Sequence, residues 1–231
     1  EKALEISAKK LEEAEQNKEK NIEEIKKEQK EKEKKTIKKE WYEKFRWFIS
    51  SSGFLCIGGR DATTNEIIIK KHAEKNDIVF HTDMAGSPFF VVKAEGKEID
   101  EKTIDETASA TITFSKAFQK GFLTTPVFWV YPEQVSKEAN PGEYLPKGAF
   151  MIKGKTNYVN AKADLCVGIT KNSKIMVGPL SAIKKNCEKF VELQQGRQKK
   201  SDIAKSIQKK IGGHLDDIIS ALPAGDFEIK K

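Results

Sequence analysis

Residues 46–65 read RWFISSSGFLCIGGRDATTN, and the rest of the chain can be read outward from them. Phe45 to Ile49 is an aromatic and β-branched run, which suits a strand. Ser50-Ser51-Ser52-Gly53 has turn chemistry, and Phe54 to Ile57 is the returning strand of a hairpin. Gly58-Gly59 ends the pair, and a short helix is predicted over 64–73, with Asn65 near its start. Glycines ahead of a helix superficially resemble a phosphate loop. However, the stretch Gly58-Gly59-Arg60-Asp61 is neither G-x-G-x-x-G nor a Walker sequence, and Lys70 lies too far along to be a Walker lysine. The competing reading is a structural turn with a local Arg60–Asp61 network.

Upstream, composition shifts at Trp41, where Trp41, Tyr42, Phe45, Trp47 and Phe48 crowd together. Residues 1–40 contain no Gly or Pro and are nearly all Glu, Lys, Gln, Ala and a few aliphatics. Leu4, Ala8, Leu11, Ile22 and Ile25 fall on an a/d-type seam that stops until Ile37. This predicts one long helix, one arm of a coiled-coil hairpin whose partner helix belongs to a missing N-terminal part. A merely solvated helix is the alternative. The chain opens on Glu1 rather than Met, as a fragment would.

Downstream, Ile78–Thr82 and Phe89–Ala94 read as strands. A helix is predicted over 100–121, with Ile104, Ala108, Thr111, Ser115 and Phe118 along one face. Pro126 to Tyr131 is apolar on both faces, as a central strand is. Ala149–Ile152 and Thr156–Val159 are expected to form a final hairpin. A second unit opens near Ala161, with strands at 165–169, 174–177 and 190–194 and helices at 181–189, 201–211 and 214–222. The expected class is α+β or α/β. It comprises a coiled-coil arm (1–40), a mixed β-sheet core with packed helices (41–160) and a small basic α+β unit (161–231).

The 231 residues are 38% hydrophobic and 33% charged, with a formal net charge of +7. That balance points to a polyanionic partner, or to a lysine-rich proteome. Arginine occurs only at Arg46, Arg60 and Arg197. Between residues 184 and 210, bases outnumber acids nine to three. Arg197, Lys199 and Lys200 are expected in a loop before a helix capped by Ser201, which suits a phosphate. A solvated lysine face is the plainer reading. Cys56, Cys166 and Cys187 are sparse and show no CxxC spacing, which argues against zinc and for a reducing, cytoplasmic setting. No signal peptide or membrane-length apolar run is visible, so no membrane partner is expected.

His81 and Asp83 end a strand before a Gly-Ser-Pro loop and could be proposed as a base with its orienting carboxylate. No HxH or HExxH pattern supports a metal, and Ser87 lacks a GxSxG elbow. The preferred reading is a pair that fixes a loop or touches RNA, with no catalytic residue, metal or cofactor. Trp41, Trp47 and Trp129 could stack on bases, although Trp129 sits in the most apolar strand, where a core role fits better.

These segments together carry a family resemblance. Phe45-Arg46-Trp47-Phe48-Ile49-Ser50-Ser51-Ser52-Gly53-Phe54, followed by Ile57-Gly58-Gly59-Arg60-Asp61-Ala62 and Asn65-Glu66, resembles the opening of the NFACT-R domain. His81-Thr82-Asp83-Met84-Ala85-Gly86-Ser87-Pro88 resembles its second block. The helix over 101–118, with Ala108 and Ser115, and Pro146-Lys147-Gly148-Ala149-Phe150, with Gly154 and Lys155, resemble later ones. The resemblance covers about residues 38–160, and the flanking parts resemble archaeal full-length members. The family includes the nuclear export mediator factor, Caliban and fibronectin-binding-protein-A-like proteins. It implies an RNA-binding module of a ribosome quality control factor that acts on stalled large-subunit nascent-chain complexes. Such a module would support tRNA recruitment for C-terminal tailing, with tRNA and large-subunit rRNA as partners and no active site of its own. Motif blocks nominate Arg46, Arg60, His81, Lys93 and Lys147 as RNA contacts; charge clustering adds Arg197, Lys199 and Lys200. The alternative is a protein-interaction scaffold built on the coiled coil and the core.

Overall fold

The computed structural model describes residues 39–138, 142 and 144–230. The expected coiled-coil arm lies outside the described residues, apart from Lys39 and Glu40, which take no regular structure. A 3-10 turn at Trp41–Lys44 leads into β1 (Arg46–Ile49), which pairs with β2 (Leu55–Gly58) in the predicted hairpin. Helix α1 (Ala62–His72) follows, then β3 (Ile78–Thr82) and β4 (Phe90–Val92). Helix α1 begins two residues earlier than expected because Asp61 caps it: its side chain accepts from the Thr64 backbone N–H, and Thr64 reciprocates.

The long predicted helix is broken in two, α2 (Glu101–Thr113) and α3 (Lys116–Gln119). Ser115 is responsible, since its hydroxyl accepts from the Phe118 N–H and so starts a new helix. Strand β5 (Val127–Val130) comes next, then β6 (Val135–Ser136), β7 (Met151–Ile152) and β8 (Asn157–Val159). The expected hairpin between β7 and β8 does not form. β7 pairs with β6, while β8 pairs with β5 and closes the edge of the main sheet. That sheet runs β1-β2-β4-β3-β5-β8, and every neighbouring pair is antiparallel. The expected mixed sheet is therefore antiparallel, and the class is α+β rather than α/β.

Period-2 alternation sorts the central strands between two cores. Ile78, Phe80, Phe90, Val92 and Val127 face one core, together with Ala108 and Ile112 of α2. Val79, Val91, Phe128 and Val130 face the other, together with Ile68 of α1. Covering both faces explains why these strands read as continuous apolar runs. Trp129 is partly buried against the first core.

The remaining elements form a four-stranded antiparallel sheet, β10-β9-β11-β12, from β9 (Leu165–Thr170), β10 (Ile175–Gly178), β11 (Cys187–Gln198) and β12 (Phe227–Ile229). Helices α4 (Leu180–Asn186), α5 (Lys200–Ile211) and α6 (Leu215–Ala221) accompany it. The helix expected to run to 189 stops at Asn186 because the long strand β11 begins at Cys187, and β12 was not anticipated. Ser201 does not cap α5: Lys199 occupies the cap position and makes no side-chain cap bond.

The two sheets share one hydrophobic core, in which Phe48 and Phe90 lie with Leu165, Met176 and Ile183. Polar bonds join them too. Asn186 donates to the carbonyls of Ile49 (2.9 Å) and Ser50 (3.2 Å), and Glu106 accepts from Ser51 N–H (2.8 Å) and Ser181 hydroxyl (2.5 Å). From Tyr42 onward the chain is one compact unit.

Candidate nucleic-acid interface

A cleft of about 480 Å³ opens where the ends of β1, β2 and β3, the start of α1 and the Lys147–Phe150 segment meet. Of the eight nominated residues, Arg46, Arg60, His81 and Lys147 line it. Lys116, which was not nominated, lines it as well. The break at Ser115 puts Lys116 there, with its backbone N–H bonded to the Gly86 carbonyl (3.2 Å). A serine with capping chemistry inside a helical run was the available sequence signal.

Arg46 lies on the β1 face that also carries Phe48. Its guanidinium sits over the Phe114 ring, 4.3 Å from the centroid. Its Nε and Nη1 are buried without a hydrogen-bond partner among the described residues. Burial, with the nearby Arg60 charge, pushes its pKa down to about 10, so it remains charged near neutrality.

Arg60 is a brace as well as a charge. Its Nε donates to the Lys44 carbonyl (3.1 Å), Nη2 to the Phe45 carbonyl (3.0 Å) and Nη1 to the Ser220 carbonyl (2.6 Å). Lys200 is held in the same way by the Leu222 carbonyl (2.8 Å). Carbonyls at the C-terminal end of α6 thus hold two cations, as the negative pole of a helix favours. Burial, then the fields of Arg46 and Arg60, push Lys200 down to about 8. Asp61 is the carboxylate on the rim; it is exposed and engaged in capping α1.

The glycines here are spacers. A Cβ on Gly59 would lie 1.8 Å from Asn65 Oδ1, which accepts from the Phe89 N–H (3.1 Å). Gly58 runs directly under the Phe90 ring. The expected Arg60–Asp61 network is replaced by separate roles: Arg60 donates to the carbonyls of Lys44, Phe45 and Ser220, and Asp61 caps α1.

His81 stacks on Phe89 at 4.2 Å between centroids. Burial holds its pKa below the ordinary histidine range, so it presents a neutral ring. Asp83 instead accepts from the Tyr158 hydroxyl (3.2 Å). The Ser87 hydroxyl donates to the Met84 carbonyl (3.2 Å) and bonds to Thr82, which fixes the loop. Among the described residues, no cluster of His, Cys, Asp and Glu could hold a metal ion, and no helix is long and apolar enough to cross a membrane.

The other nominations separate from this cleft. Lys93 is buried and ion-paired with Asp77 (2.5 Å), and also donates to the His72 carbonyl (2.7 Å), so its ammonium serves the fold and is not presented to a ligand. Arg197 lies in β11 rather than in a loop, and Arg197 and Lys199 are exposed away from the cleft lining.

An antiparallel α+β scaffold with a cationic, aromatic-walled cleft defines the class of a candidate nucleic-acid-binding module. Residues 44–154 match the family model of the NFACT protein RNA binding domain, and that stretch carries the NFACT family's domain. It is 43% identical over 199 residues to the archaeal Rqc2 homolog aRqcH of Methanocaldococcus jannaschii, covering 83% of this chain and 30% of that protein. It is 38% identical over 159 residues to the ribosome quality control complex subunit NEMF homolog of Drosophila melanogaster, covering 68% of this chain and 16% of that one. Identity to ribosome quality control complex subunit NEMF of Homo sapiens is 44% over 120 residues, or 52% of this chain and 11% of that one. The chain thus spans less than a third of the length of these relatives. A solved C-terminal structure of the fibronectin/fibrinogen-binding protein from Streptococcus suis overlaps 55% of this chain and 48% of that one, at 19% identity and a TM-score of 0.43.

Proposed function

We propose that this chain is the RNA-binding module of a ribosome quality control factor. It faces tRNA and large-subunit rRNA on stalled nascent-chain complexes in the cytoplasm, supports tRNA recruitment for C-terminal tailing and has no active site of its own. A helix from the N-terminal part of the full protein partners residues 1–40. The observation that carries the reading is the convergence of Arg46, Arg60, Lys116 and Lys147 on one cleft from separate segments of the chain. Cations gathered this way neutralise phosphates and release counterions, which makes binding fall with salt. The family match and the names of the relatives supply the ribosomal context.

Fluorescence anisotropy of labelled tRNA against this chain at rising salt tests the reading. The expected result is a linear fall of log affinity with log salt, and about a tenfold weaker affinity for the K116E/K147E variant with an unchanged melting temperature. Salt-independent binding, or none, refutes it. Intact RNA binding by that variant, together with lost binding to ribosomal proteins, would favour the scaffold reading.

A further inference from the structure

The cleft lining has two chemically different parts. One is ionic: Arg46, whose Nε and Nη1 are buried without partners behind the surface, with Lys116 and Lys147 on the lining. The other is aromatic: Phe89, with His81 stacked at 4.2 Å and Phe150 edge-on at 5.3 Å. A phosphate alone would answer the cations and leave the aromatic part idle. An apolar ligand would fill the aromatic part and leave the Arg46 donors unmet, a costly state for a buried charged group. The volume, about 480 Å³, falls within the range of small-molecule pockets and exceeds what one phosphate fills. A nucleotide satisfies both parts.

We propose that the cleft is a single-nucleotide pocket that takes one unpaired RNA nucleotide, its phosphate against Arg46, Lys116 and Lys147 and its base against the partly exposed rings of His81 and Phe150, which rest on buried Phe89. This rests on the RNA-binding reading and narrows it: the pocket excludes paired bases, whose faces are already stacked. Base–aromatic stacking tolerates any base, so the pocket selects unpairedness over sequence.

The test measures anisotropy of three labelled oligomers of equal charge against the full chain: single-stranded RNA, the same backbone without bases, and a duplex. Single strands are expected to bind about tenfold more tightly than the abasic backbone and than the duplex, the scale of one stacked base. Phe150→Leu keeps an apolar contact with Phe89 and should shrink that gap to about twofold without changing the abasic affinity or the melting temperature. Lys147→Glu should weaken all three alike. Equal binding of single-stranded and abasic oligomers overturns the pocket and leaves the RNA-binding reading standing; binding of none overturns both. A nucleoside monophosphate should displace the RNA at lower concentration than inorganic phosphate does. Equal displacement by the two counts against the pocket. A monophosphate that binds more tightly than the oligomer overturns RNA as the source of the nucleotide.

Discussion

The Arg46 guanidinium rests on the Phe114 ring at 4.3 Å, with Nε and Nη1 buried and lacking acceptors among the described residues. A buried charge without acceptors destabilises a fold, and a well-packed apolar replacement is often neutral or stabilising. Arg46→Met should therefore leave the melting temperature unchanged or raise it by a few degrees, while weakening RNA binding by about tenfold. Calorimetry and anisotropy on the same preparation check this. A large loss of stability would mean that Arg46 serves the fold.

Lys200 gives that cluster a pH signature. Its pKa is pushed down to about 8 by burial and by Arg46 and Arg60. In the unfolded chain an ordinary lysine keeps its proton to about 10.4. Between those values the unfolded state binds more protons, so this residue makes stability rise with pH there. Ligand binding should respond in the opposite direction. A phosphate favours the protonated amine, so RNA affinity should fall as pH rises from 7 to 9. Lys200→Arg, which stays charged, should flatten the fall. Equal pH dependence in the two proteins would show that Lys200 does not feel the bound phosphate.

Much of this architecture is visible in the residues themselves. The Ser50–Gly53 turn announces the hairpin, and the two-sided apolar run at 126–131 announces a strand in a central position. Pairing choices are less visible, because alternation marks a face and does not name a neighbour. Met151–Ile152 and Asn157–Val159 look like partners, yet the first pairs with Val135–Ser136 and the second with Val127–Trp129. The cleft itself depends on long-range folding. Arg46 and Arg60 could be nominated from their motif, but Phe114, Lys116 and Phe150 join them only once α2 breaks and the Lys147 segment folds over α1. Lys93, nominated from a motif block, separates from the cleft for a related reason: its buried partner Asp77 lies elsewhere in the chain.

The Lys147 segment is pinned by Glu66. This carboxylate meets Lys137 Nζ at 2.8 Å and accepts from the Gly148 N–H at 3.3 Å, and those bonds, with Lys70 nearby, pull its pKa down to about 2. Gly148 also passes so close to the helix start that a Cβ would sit 2.6 Å from Ala62 Cα. Glu66→Gln should loosen this wall and weaken RNA binding a few-fold, with faster hydrogen exchange at Gly148. Because the pKa is depressed, the anchoring holds above the ordinary carboxylate range and is lost as pH falls towards 2. Unchanged exchange at Gly148 in the variant would show that the segment is held by other contacts.

Lys93 and Asp77 separate fold from function. Both side chains are almost fully buried, at 6% and 2% exposure, and Asp77 also accepts from the Ala94 N–H (2.8 Å) and Glu74 N–H (2.8 Å). Removing the ammonium strands a buried carboxylate, which costs about 3–5 kcal/mol. Lys93→Met should lower stability by that order in urea unfolding, while the folded fraction binds RNA with unchanged affinity. Asp77→Asn in the Lys93→Met background should recover part of the loss, because the stranded charge is gone and the amide still accepts from the Ala94 backbone. If Lys93→Met instead lowers RNA affinity at unchanged stability, then Lys93 reaches the ligand and its ion pair with Asp77 opens in the complex.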